Sequence, residues 1–256
     1  MLNQRSLLVA GAVAVAALAP LAAQGAGPAM DWTGPYVGAN LGYGWSSSNS
    51  AKFSVVDPGG AWFGPCLAAG SCLSRVSYDR DGFVGGAQVG YNWQVNQWVF
   101  GLEADLDYSD MNGGTTVGTA VGAFAPFVGS AHSDIDWLST IRGRLGLAFG
   151  SALVYATAGF AGGSVEDSFS WGYPGLGQVY VGRDSGTEWG WTAGGGLEYA
   201  VSKNLIVGGE VLYFDLGDTT VPGIPIAGFT PPAGTALSGN FDHAGVIARA
   251  RVSYKF

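Results

Sequence analysis

Charge is scarce in this sequence. Asp, Glu, Lys and Arg make up 12% of the 256 residues, and the balance is acidic, with a formal net charge of −8. No basic patch exists to neutralise phosphates, which excludes a nucleic-acid partner. Histidine is nearly absent, with His132 and His243 alone, and no cluster of ligand-type residues marks a metal site; no cofactor is expected. After the first two dozen residues no run of eighteen apolar residues occurs, so no helix downstream is expected to span a membrane. Glycine and large rings are abundant instead: 44 Gly, nine Trp and eleven Tyr. Rings with one polar atom suit membrane interfaces better than a water-soluble core.

The opening MLNQRSLLVAGAVAVAALAPLAAQGAG reads as a secretory leader over residues 1–25. Arg5 forms the positive region, Leu7 to Leu18 the apolar region, and small residues follow, with cleavage expected between about 22 and 27. A transmembrane helix is the alternative, but the apolar run is short and Pro20 breaks it. The two cysteines, Cys66 and Cys72, lie in a Gly/Pro/Ala stretch. In an exported protein they suggest a small disulfide-closed loop, favoured over two free thiols by the oxidising compartment.

The end of the chain, FDHAGVIARARVSYKF, carries a period of two. Phe256, Tyr254, Val252, Ala250, Ala248, Val246 and Ala244 alternate with Lys255, Ser253, Arg251, Arg249, Ile247, Gly245 and His243. Side chains on a strand alternate faces, so one face is apolar and the other mostly polar. The same pattern sets Ile135, Trp137, Ile141, Leu145 and Leu147 against Asp134, Asp136, Thr140, Arg142 and Arg144. It sets Trp98, Phe100, Leu102 and Leu106 against Glu103, Asp105 and Asp107, and Trp189, Trp191 and Tyr199 against Glu188, Thr192 and Glu198. The segments at 33–45, 152–165 and 205–216 are less regular, with Glu210 marking a polar side in the last.

Eight strands are therefore expected near 33–45, 79–94, 98–109, 133–149, 152–166, 187–200, 205–216 and 241–256. Short connections (VNQ, GS, VSKN) alternate strictly with long ones at 46–78, 110–132, 167–186 and 217–240. That order belongs to an up-and-down antiparallel sheet. Eight strands close into a barrel that side chains can fill, and closure removes the edges that lipid would penalise. A lipocalin-like barrel would turn the Trp-rich face inward, where an eight-stranded barrel has no room for it. The expected fold is all-β: an eight-stranded antiparallel up-and-down transmembrane β-barrel over residues 31–256, apolar outside and charged inside.

The stretches DWTGPYVGANLGYGW, GFVGGAQVGYNWQ, FGLEADLDYSD, DWLSTIRGRLGLAF, GWTAGGGLEYAVSKN and ARARVSYKF resemble the small porin-like, OmpA-superfamily outer-membrane β-barrel proteins of Gram-negative bacteria. The resemblance runs from about Asp31 to Phe256 and fades in the long connections. It implies location in the cell outer membrane, both termini and three short turns on the periplasmic side, and four long extracellular loops. It also implies contact with outer-membrane lipid and lipopolysaccharide, and assembly by the outer-membrane machinery through a terminal aromatic signal, which Tyr254 and Phe256 match.

Within the barrel, Glu103, Asp105, Arg142, Arg144, Glu198, Glu210, Arg249 and Arg251 are expected to form a lumenal ion-pair network, since an unpaired buried charge is costly. A plug fits eight strands better than a channel, because wide pores come with sixteen or more. The adjacent His132-Ser133 pair is a weak signal for hydrolase chemistry, and no enzyme activity is expected. The expected role is structural or surface-interactive, with an unknown extracellular ligand; a small-solute porin is the alternative, and a lipid-modifying enzyme a third.

Overall fold

The computed structural model describes residues 30–47, 50–60, 63, 72–119 and 126–256. The leader, its cleavage point and Cys66 lie outside the described residues. Among those described, the strands are β1 (Gly34–Ser46), β2 (Ser50–Val56), β3 (Arg75–Ser77), β4 (Asp81–Val95), β5 (Trp98–Thr119), β6 (Phe127–Phe149), β7 (Ala152–Tyr173), β8 (Gln178–Ala200), β9 (Leu205–Pro222), β10 (Ile224–Pro225) and β11 (Ala236–Lys255). Antiparallel pairing runs β1-β4-β5-β6-β7-β8-β9-β11, and β11 returns to pair with β1. The ring is closed, and every strand in it has two neighbours.

At one end the strands turn tightly. Asn96 takes a left-handed φ of 57° between β4 and β5, and Gly150 a φ of 62° between β6 and β7. Short polar residues and Gly tolerate this region, which tight hairpins require. At the other end the strands are much longer than the sequence suggests: β5 has 22 residues, and β6 and β8 each have 23. Most of 110–132, 167–186 and 217–240 is paired strand, which corrects the reading of these stretches as long loops.

The reason is a change of solvent along the barrel. In the lower part the apolar residues face out: Ile141 is 65% exposed, Phe160 76% and Trp189 72%. Farther up, Val165, Asp167, Phe169 and Trp171 point inward, while Glu166, Ser168 and Ser170 point outward. A wall that stands in water carries polar residues outside, so its sequence loses the apolar signal of a lipid-facing strand. Bulges mark the change. Register shifts fall between Tyr108 and Met111 on β5, between Ile135 and Trp137 on β6, and between Asp242 and Ala244 on β11. On β6 the shift resets which face looks inward. Ile135 is consequently buried and Asp136 exposed, the reverse of what an unbroken alternation gives, whereas β5 and β11 keep their odd-numbered residues inward on both sides of the shift.

β1 and β4 stop near this level. The hairpin of β2 and β3 takes their place, with β2 pairing against the upper part of β11. Its inward side chains join an aromatic cluster of Phe53, Phe63, Val76, Phe127, Phe169, Trp171, Tyr180 and Phe241. The Trp171 indole donates to the Leu73 carbonyl at 2.7 Å, tying the hairpin segment to β7. Cys72 belongs to this cluster, buried and disulfide-bonded. At the opposite end Trp32, just before β1, is fully buried with Val99, Leu153, Tyr155 and Ile206. Both mouths are thus packed with apolar side chains.

The outward rings form two belts. On β5 they are Trp98 and Phe100 below and Tyr108 above. Ten residues at about 3.3 Å each, tilted by about 40°, span about 25 Å, the height of an outer-membrane apolar band. Ile141 pairs with Ala104, midway between the belts. Ile141→Arg should therefore cost about 2–4 kcal/mol of folding stability in bilayers, measured by urea titration in lipid vesicles; a change within error would show that this face does not meet hydrocarbon.

Candidate functional site: a charged layer across the lumen

Between the two apolar ends the barrel is crossed by one layer of ionised side chains. The strands that position them do so by register. Arg142 on β6 stands directly opposite Glu103 on β5, and Arg249 on β11 directly opposite Glu210 on β9. Glycines beside them give the long side chains room. A Cβ at Gly101 would lie 2.8 Å from Arg144 Cγ, and one at Gly90 would lie 2.3 Å from the Tyr36 hydroxyl.

Arg142 reaches Glu103 and Asp105 at 2.6 Å each and Glu210 at 3.0 Å. Arg249 reaches Asp105 at 2.8 Å, Asp107 at 2.6 Å and Glu210 at 2.7 Å. Arg251 pairs with Glu103, and with Glu210 at 3.0 Å. Arg144 pairs with Glu198 at 2.9 Å and stacks on the Tyr155 ring at 3.9 Å. The Tyr36 hydroxyl donates to Glu103 at 2.6 Å, and the Tyr155 hydroxyl donates to Glu210 at 2.9 Å. The four guanidinium-bearing side chains are 0–2% exposed.

The eight residues named from the sequence lie in one cluster that crosses the lumen, not in separate pairs between adjacent strands. Three members escaped the sequence reading. Asp107 continues the Glu103, Asp105 face and was legible by parity alone. Tyr36 and Tyr155 lie in two of the three segments whose alternation is irregular, because tyrosine reads as apolar although its hydroxyl serves the charges.

A second polar layer lies above the bulges. Arg80, 1% exposed, donates to Ser133 Oγ at 2.7 Å, and its Nη1 lies 3.4 Å from His243 Nδ1. His243 Nε2 faces Asp167 at 3.0 Å and Thr219 Oγ1 at 3.2 Å. Burial pulls the Arg80 pKa down, against the pull of Tyr78, Asp167, Asp242 and Asp134, which favours the charged form. Arg80 and Asp167 fall in stretches read as strand edge and loop, so the sequence could not bring them together. His132 and Ser133 occupy opposite faces of β6: His132 is exposed beside Asp134 at 3.0 Å, and Ser133 is buried. Adjacent residues on a strand cannot act on one substrate from one side, so this pair is no nucleophile and base. At the chain's lower end Tyr254 and Phe256 are both exposed, with ring centroids 5.2 Å apart.

Arg249 is the only guanidinium that pairs with Asp107 among the described residues. Arg249→Ala should cost about 3–5 kcal/mol, because it leaves the buried Asp107 without a cation and removes one from Asp105 and Glu210. Adding Asp107→Asn should recover part of that loss, whereas adding Glu210→Ala should recover less, since Glu210 also holds Arg142 and Arg251. Urea unfolding of the single and double variants separates these outcomes; additive costs would show that the layer is not coupled.

Comparison with known proteins agrees with the barrel geometry. Residues 6–256 match the family described as the outer membrane protein beta-barrel domain. The 31 kDa outer-membrane immunogenic protein of Brucella melitensis is 35% identical, over 73% of this chain and 72% of its own length. The 22 kDa outer membrane protein of Rhizobium leguminosarum bv. viciae is 31% identical, over 64% of this chain and 69% of its own length. Among solved structures, the outer membrane protein OprG from Pseudomonas aeruginosa aligns with a TM-score of 0.50 at 13% identity, covering 89% of this chain and 98% of OprG. A charged lumen inside an apolar wall, closed by eight antiparallel strands, is thus joined to sequence kinship: this chain belongs to the outer membrane β-barrel protein family and resides in the outer membrane.

Proposed function

We propose that this barrel is a sealed structural and surface-interaction protein of the outer membrane. The observation that carries this reading is the charged layer, whose guanidinium-bearing side chains are 0–2% exposed and span the lumen between two apolar plugs. A conducting path needs water along its length, and a guanidinium that is buried and multiply paired leaves no continuous file. The plug fixes the strands, and the upper cup, with its polar outer wall, presents a rigid surface to the outside. The immunogenic naming of the Brucella relatives is compatible with such exposure. Purified protein in planar bilayers should show no stable conductance steps. Reproducible open steps would replace this reading with a small-solute porin.

The same reading orients the molecule, with tight turns toward the periplasm and the cup outward. Lys203 lies in the turn between β8 and β9. Trypsin applied to intact cells should leave the Lys203–Asn204 bond whole and cut it only after the outer membrane is opened. Mass spectrometry of the fragments decides, and cleavage there in intact cells would invert the orientation.

A further inference from the structure

The wall of the cup is not paired along its full height. Above Trp191, which stands opposite Asp215, no described strand pairs with the β9-facing edge of β8 until β10 covers Val181 and Tyr180. β9 parts from β8 at Gly217, where a left-handed φ of 84° turns the chain while its pairing with β11 continues. Residues 182–190 thus form an open edge, and every second one directs its N–H and C=O into the gap. Pairing with β7 fixes which side chains share a face. Asp184 stands opposite Asp167, Gly186 opposite Val165 and Glu188 opposite Gly163. Asp167 and Val165 point into the cup, so Asp184, Gly186 and Glu188 lie on its inner face as well.

That face is buried on β7 but open on β8, where Asp184 and Gly186 are exposed. A Cβ at Gly186 would meet only Glu188 Oε1, at 3.8 Å. Asp184 has no partner among the described residues, and Glu188 has one long contact, from the Thr219 hydroxyl at 3.4 Å. Arg183, the cation of this edge, points outward to Glu166. Asp167 is 1% exposed and faces His243 through Oδ2, while its Oδ1 has no hydrogen-bond partner and lies on the row that Asp184 extends. Two carboxylates directly opposite one another repel, so a third strand on this row is favoured if it brings a cation. A second copy in the same membrane would bring the same acids, and lipid phosphates are anionic, so charge disfavours both.

We propose that the open edge of β8 takes up an extended basic peptide as an added strand, with Lys or Arg opposite Asp184 and Glu188 and an aromatic residue opposite Gly186. A ring at that position covers the glycine and reaches toward Val165. The pattern cation-x-aromatic-x-cation reads the same in either strand direction, and main-chain hydrogen bonds supply the remaining affinity. The inference deepens the surface-interaction reading above and rests on it for the side from which the peptide comes. Full-length barrel in zwitterionic detergent is titrated with dye-labelled Thr-Lys-Thr-Tyr-Thr-Lys-Thr, and binding is read by fluorescence anisotropy. Exchanging both peptide lysines for Glu should abolish binding, and Asp184→Asn with Glu188→Gln should weaken it about tenfold. Asp184→Glu with Glu188→Asp should retain it, and unchanged heat-modifiable migration on gels confirms that each variant is folded. N-methylation of alternate peptide amides carries the signature of a strand: one set should abolish binding and the other leave it intact. Equal binding by the Asn/Gln variant, or the same response to both methylated sets, would overturn the proposal. Spermine displacing the labelled peptide as well as unlabelled peptide does would also overturn it, by assigning the acids to a free polyamine. Conductance steps with peptide binding intact would refute the sealed barrel alone, and silent bilayers without peptide binding would refute the added strand alone.

Discussion

The pairing of guanidinium with carboxylate in a space closed to water sets the terms for this molecule. Four arginines and five carboxylates meet in one layer. Isolated, any of them would be costly to bury; together each charge faces one of opposite sign, although Asp105 Oδ1 and the Nε atoms of Arg142, Arg144 and Arg251 lack a hydrogen-bond partner. The pairing of charges is the constraint. A strand displaced by one residue would turn its charge into lipid and leave a partner bare, so the layer selects one register around the whole ring. Glycines flanking the layer and tyrosines bridging it follow from that requirement, since long cations need space and spare carboxylate lone pairs need donors.

On either side of the layer the interior is apolar, and its character differs above and below. Below, Trp32 folds in ahead of the first strand and seals a small cluster. Above, nine residues including Met111, Ile135, Leu138, Phe214 and Ile247 separate the ionic layer from the one holding Arg80 and His243. Alternating polar and apolar strata keep each charged group close to a partner and far from competing ones. The aromatic mouth then closes the upper stratum, using a hairpin that is not one of the eight continuous staves.

The lipid-facing part of this arrangement was legible in the sequence because hydrocarbon enforces a strict alternation. Phe100, Leu102 and Leu106 against Glu103 and Asp105 leave one reading. The upper cup was not legible. In SVEDSFSWGY the alternation is just as strict, but its outward members are Ser and Glu, and such residues also make loops. The bulges added a second difficulty, since a single inserted residue such as Asp136 breaks the parity on which the reading depends. The network members Arg142, Arg249 and Glu103 sat within the regular stretches and Glu210 marked the polar side of a less regular one, whereas Arg80 and Asp167 sat outside them. What set the limit was the local solvent, not the distance between partners.

The bulges on β5, β6 and β11 have one more consequence. They lie at a common level, just above Tyr108, Trp137 and the rings that pair with Val246. Below them a side chain pointing outward must be greasy, and above them it must be wettable. The barrel therefore carries its own waterline. Sliding it along the bilayer normal by even one strand residue in either direction would drown apolar rings or strand charged groups in oil. Its vertical position is set by covalent sequence, and a membrane of another thickness would have to deform to meet it.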